Sequence, residues 1–129
     1  MLRRLLLSIT ALGALACSPD PYGRFEAAQA EVAAIVCPCS PFGMPAECEA
    51  RSAAFVACER GNYEAFPDEL RPSYECGANA VEAYAACLSD FGEACDWEIY
   101  ESCTEALNAS ARACPPFPAE VRDMLASCD

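Results

Sequence analysis

A chain of 129 residues with 11 cysteines and no histidine is sized for one domain and has the composition of a disulfide scaffold rather than of an intracellular protein. Its 20 acidic residues face 8 basic ones, all arginine, for a net charge of -12, a field that repels phosphate backbones and anionic headgroups and argues against nucleic-acid partners. The missing histidines and lysines remove the commonest general base, the commonest metal ligand and the Ser-Lys route to a nucleophile, so the composition points away from an enzyme and implies no cofactor.

Residues 1–16, MLRRLLLSITALGALA, place Arg3 and Arg4 before an apolar run from Leu5 to Leu12 and end on small residues. That is the three-part pattern of an export signal peptide. The run is shorter than the roughly 20 apolar residues of a membrane-spanning helix. Removing it also removes two arginines, leaving six against 20 acids, a difference of -14.

Gly13-Ala14-Leu15-Ala16-Cys17 at the leader's end resembles the lipobox of bacterial lipoproteins, with Ala14 where leucine is commonest. The resemblance covers the leader alone. It implies cleavage before Cys17, a diacylglyceryl thioether on the Cys17 sulfur, and an acylated amino terminus, enough chains to anchor a protein stably. Parity points the same way, because the ten cysteines after Cys17 can close five bridges, whereas counting Cys17 strands one thiol. Ser18 would permit sorting to an outer membrane under that family's rule on the following residue. The expected location is therefore exported and anchored to an outer or cytoplasmic membrane, periplasmic or at the cell surface. Without lipidation the protein would be secreted.

Ser18 to Gly23, SPDPYG, reads as a turn-rich tether, so that 17–23 form lipidation site and tether and 24–129 the cysteine-rich domain. Phe25, Ala28, Val32 and Ile35 share one face of a first helix over about 24–36, which CPCSPFGMP breaks. The second helix opens at Pro45 and runs to Cys58, with Gly61 as its stop. The segment 63–75, YEAFPDELRPSYE, carries two prolines and reads as an irregular loop with one short turn. A third helix spans about 78–89 with Val81, Tyr84, Cys87 and Leu88 on one stripe. The fourth, about 96–113, is capped by Asp96 and striped by Ile99, Tyr100, Cys103, Leu107 and Cys114. A fifth opens at Pro118 and carries Val121, Met124, Leu125 and Cys128. No segment alternates with period two, so the expected fold is all-α, a small disulfide-stapled bundle of about five short helices. AFVAC (54–58), AYAAC (83–87) and IYESC (99–103) each set an aromatic one turn before a cysteine, and LASC (125–128) repeats this with leucine.

Cys76 and Cys87, like Cys103 and Cys114, lie eleven residues apart. Eleven helical residues rise about 16 Å, beyond the ~7 Å between alpha carbons that a disulfide spans, so two cysteines of one helix must bond to other elements. Eleven is also close to three whole turns, and both thiols then face the same neighbour. The pattern resembles the twin-cysteine helical hairpins of small oxidised proteins, in which two helices are bolted together twice. That logic implies Cys76 with Cys114 and Cys87 with Cys103, with Cys95 able to displace either. Cys37 or Cys39 is expected to reach Cys48 across the intervening turn, and Cys58 and Cys128 are left for a closing bridge.

Cys37-Pro-Cys39 has the look of a redox pair or soft-metal clip, but two close cysteines in an exported domain are more often halves of separate bridges. No metal site is expected: a zinc site would need paired two-residue spacings, which the chain lacks. The acidic pairs Asp68-Glu69 and Glu98/Glu101 read as solvated helix faces, and Asn108-Ala-Ser110 as a sequon inside a helix. Trp97, Tyr100, Phe91 and Tyr84 are either core or an aromatic recognition patch. Three functions fit. The first is a non-enzymatic lipoprotein that binds an unidentified protein or small-molecule ligand, or shapes the envelope, and meets the membrane through its lipid anchor. The second is a carrier of a small apolar ligand or lipid, since disulfide-rich helical bundles such as plant lipid-transfer proteins can enclose an apolar cavity, although the adjacent Cys-Cys pair typical of them is missing here. The third is a secreted hydrolase inhibitor, using 63–75 as its exposed loop.

Overall fold

The computed structural model describes residues 20–39 and 42–128. Cys17 and the leader lie outside the described residues. Six helices follow in order: α1 (Pro21–Val36), α2 (Pro45–Ala65), α3 (Pro67–Cys87), α4 (Ser89–Ala94), α5 (Trp97–Arg112) and α6 (Ala119–Ala126). Among the described residues there is no strand, so the chain is an all-α, disulfide-stapled bundle with one short helix more than expected.

The first helix starts earlier than its apolar stripe suggests. Asp20 accepts a hydrogen bond from the Gly23 amide at 3.2 Å and Pro21 occupies the first turn, a start that needs neither a following acid nor a hydrophobic repeat. Residues 21–23, expected in the tether, are therefore helix. Tyr22 is completely buried, and the described part of the proposed tether shrinks to Asp20, itself the helix cap.

The expected loop over 63–75 is also corrected. α2 runs through Gly61 to Ala65, and α3 begins one residue after Phe66 with Pro67 as its first residue. Pro67 lacks an N–H that would be unsatisfied there anyway. Pro72 sits inside α3 on the exposed side and forfeits one backbone bond. The helix survives because Leu70, Ser73, Tyr74, Ala78 and Val81, spaced at three or four residues, are all buried. Ser73 adds a tie by donating to the Pro115 carbonyl at 3.0 Å.

α1 is the central helix. α2 lies antiparallel to it, with Tyr22 donating to the Val56 carbonyl, Glu26 paired with Arg60, and Cys37 bonded to Cys48 near the other end. α3 runs parallel to α1. Tyr22 packs on Tyr74 at one end, Arg24 grips Glu82 (2.6 and 3.0 Å) and Asn79 (2.6 Å) further along, and Ala33 and Val36 share a cluster with Tyr84 and Leu88 at the other. The Arg24 guanidinium holds the Glu82 carboxyl below its ordinary range, chiefly through their hydrogen bond.

Two apolar clusters stack along α1. The one at its start joins Tyr22, Phe25, Tyr63, Leu70 and Tyr74 with Val121 and Leu125 of α6, and the one at its end joins Val36, Leu88 and Phe91 with three cysteines. Ala28 and Ala78 are 4% and 0% exposed at the α1–α3 seam, where small side chains set how closely the helices approach. Ala78→Leu would push three extra carbons into that seam and is expected to cost about 1–3 kcal/mol. A thermal melt followed at 222 nm should show Tm lowered by roughly 5–20 °C; an unchanged Tm would mean the seam is loosely packed.

Candidate functional site

All ten described cysteines are in bridges: Cys37–Cys48, Cys39–Cys95, Cys58–Cys128, Cys76–Cys114 and Cys87–Cys103, with alpha carbons 5.5–5.8 Å apart. The eleven-residue spacing has the geometric result argued from it. α3 and the end of α5 run antiparallel, and two rungs join them at different heights. AYAAC is bonded to IYESC, and AFVAC to LASC. Cys37 and Cys39 belong to different bridges and do not form a dithiol pair, and it is Cys37 that reaches Cys48. Cys95 takes Cys39 rather than displacing a partner on α3 or α5.

The Cys39–Cys95 bridge assembles the most distinctive surface of the molecule. Cys95 ends α4 in a left-handed conformation, φ 50°, and Asp96 then caps α5 by accepting from the Glu98 amide at 3.0 Å. This sharp corner presents Trp97 in the first turn of α5. On the other side of the bridge the chain turns at Gly43, whose φ of 87° a side chain would strain, and the Arg51 guanidinium holds the Phe42 carbonyl at 2.9 Å. Phe42 thereby comes to rest 5.6 Å from Trp97 and 5.5 Å from Tyr100, centroid to centroid. Phe91 lies beneath, 5.3 Å from Trp97 and 5.4 Å from Tyr100.

Of the four aromatics considered as a patch, the structure separates core from surface. Phe91 is fully buried and serves as the floor. Tyr84 is also buried, with its hydroxyl 3.2 Å from Thr104, and burial pushes its pKa up while the Thr104 bond pulls it down. Trp97 is 38% exposed and Tyr100 half-buried. Phe42 completes the surface, and Met44, two residues further along the chain, is 67% exposed. Sequence reasoning missed both because they sit in CPCSPFGMP, where no periodicity operates. The available signal was their position between Cys39 and Cys48, in a segment clamped by bridges at each end.

A second concavity lies between α1 and α2. It holds about 360 Å³ and is lined by Ala30, Ala33, Ala34, Ala53 and Val56 with Glu26, Glu49 and Ser52. It is a partly open groove rather than an enclosed chamber. The inhibitor reading loses its loop, since residues 63–75 are helical apart from Phe66. Asp68 and Glu69 lie exposed in the first turn of α3, and Glu98 and Glu101 are exposed on α5 together with Asn108 and Ser110. Among the described residues no three His, Cys, Asp or Glu side chains are placed to hold a metal ion, and no helix is long and apolar enough to cross a membrane.

No family model, curated protein or solved structure matches the chain.

Proposed function

We propose that the protein is an exported lipoprotein whose stapled helical head is anchored through Cys17 and acts by binding rather than by catalysis. The observation that carries this reading is the thiol balance. The ten cysteines after Cys17 bond to one another in five bridges, so Cys17 has no partner within the chain and is left for the thioether that its lipobox-like setting implies. The same balance removes a thiolate nucleophile from the head, in a chain that has no histidine. Only Ser18 and Pro19 separate Cys17 from the Asp20 cap, so a lipid on Cys17 would keep the start of α1 within roughly 10 Å of the anchored residue, the full reach of three residues.

Intact-mass measurement of protein purified from its native envelope tests this. The expected species begins at Cys17, carries a diacylglyceryl group and an amide-linked acyl chain, and is lighter by two hydrogens for each bridge. A chain with its leader uncut, or one starting at Cys17 with no added acyl mass, would sink the anchored reading; the latter would make the protein secreted.

A further inference from the structure

We infer that the corner formed by Phe42, Met44, Trp97 and Tyr100 is a docking surface for a cationic polypeptide segment that carries apolar side chains between its lysines or arginines. The inference rests on the binding role proposed above and names the chemistry of its partner. Met44 and Trp97 are the large hydrophobic side chains that the described fold leaves exposed, at 67% and 38%, and both lie at the same end of the bundle. The Cys37–Cys48 and Cys39–Cys95 bridges flank Phe42 and Met44 in the chain, and Phe91 lies beneath Trp97 and Tyr100, so part of the ordering cost is met before binding. Met44 follows by two residues the Phe42 whose ring touches Trp97, and methionine and tryptophan are both enriched in recognition surfaces.

Charge selects the occupant. Asp96 immediately precedes Trp97, Glu101 lies one turn beyond it on the same face of α5, and Glu47 lies one turn beyond Met44, all exposed. Arg51 is the cation nearby, and its guanidinium is engaged with the Phe42 carbonyl. A lysine or arginine approaching this rim meets carboxylates, and it can also stack on the Trp97 face. An anionic partner would be repelled.

Trp97 is the only tryptophan in the chain, so its fluorescence reports on this surface alone. The test uses the chain from residue 17 onward with Cys17→Ser, titrated with a tryptophan-free amphipathic Leu/Lys peptide, with the matching Leu/Glu peptide, and with phosphatidylcholine vesicles. The Leu/Lys peptide is expected to shift Trp97 emission to the blue, and Met44→Glu to weaken that binding about 10-fold or more. Met44→Ala should weaken it in the same direction. The charge added by Met44→Glu would strengthen any diffuse attraction, so a loss identifies the apolar seat; Ala106→Glu, which adds the same charge elsewhere on α5, should bind at least as well as the parent. No shift with the Leu/Lys peptide, an equal response to the Leu/Glu peptide, undiminished binding by Met44→Glu, or a response to vesicles in place of the peptide would each overturn the inference. Acylation plays no part in this titration, so its failure and that of the anchored reading are separately visible.

Discussion

Reduction of the five bridges is expected to unfold the domain at neutral pH without any denaturant. The closed segments span sequence separations of 11, 16, 38, 56 and 70 residues. The loop-closure relation assigns about 3 kcal/mol to the shortest and about 4 kcal/mol to the longest, or about 18 kcal/mol if all five acted independently. They do not, because the Cys87–Cys103 loop lies inside the Cys76–Cys114 loop and both lie inside the one closed by Cys58 and Cys128. Even half that figure is comparable to the whole stability of an ordinary domain, about 5–15 kcal/mol. The apolar core has little to set against the loss, since Ala28, Ala33, Ala78, Ala80 and Ala85 are among its buried members and a methyl group removes little area from water. Far-UV circular dichroism before and after a reductant, with the thiols then blocked by alkylation, should show the helical signal collapse. A reduced, alkylated chain that kept its helices and a cooperative melt would show that packing, not cross-linking, sustains the fold.

The elements legible in the sequence are those whose local pattern and tertiary environment agree. Asp96 caps α5, and Tyr100, Cys103 and Leu107 form the stripe that packs inward. The eleven-residue spacing showed that both thiols of a pair must reach another helix on one side, the resemblance to twin-cysteine hairpins implied which pairs form the α3–α5 ladder, and the exclusion of Cys95 from it came only with the fold. The misread elements are those where a strong local signal was overruled at a distance. Two prolines argued against helix over 63–75, but Leu70, Ser73 and Tyr74 bury against other helices and Pro115, none of which the segment reveals by itself. Tyr22 stood in a string of turn formers, and only its seat between Val56, Tyr63 and Tyr74 makes it core. The aromatic corner was half legible for the same reason. Trp97 and Tyr100 lie on a periodic helix, whereas Phe42 is placed beside them by a bridge of sequence separation 56, which no local pattern encodes.

The buried tyrosines are expected to set an upper pH limit on the fold. Tyr22, Tyr63 and Tyr74 form a mutual cluster with centroids 5.0–5.3 Å apart. Burial, the largest cause, pushes all three hydroxyls above their ordinary value. The negative charge of Glu59 pushes Tyr22 and Tyr74 further in the same direction, although Arg60, stacked 5.1 Å over the Tyr22 ring, partly offsets it there. Tyr63 is raised also by donating to Asp20 at 2.9 Å. The unfolded chain loses these protons near pH 10, about the ordinary tyrosine value, while the folded chain keeps them. Above that pH the folded state therefore binds more protons than the unfolded one, and its stability falls as pH rises. Below it the contribution is fully present. For Tyr22 and Tyr74, the two most deeply buried, the combined slope is about 3 kcal/mol per pH unit. Two units above pH 10 this amounts to about 5 kcal/mol, equal to the lower end of an ordinary domain's stability. Brief exposure to rising pH should then give one cooperative transition, in which tyrosinate absorbance at 295 nm appears together with loss of the near-UV dichroism, and which reverses on prompt neutralisation. Tyr74→Phe removes one of the two groups, so its transition should be shallower by about 1.4 kcal/mol per pH unit and lie at higher pH. If tyrosinate absorbance instead reached its full amplitude with the near-UV signal intact, the cluster would be open to hydroxide and its burial would not limit the fold.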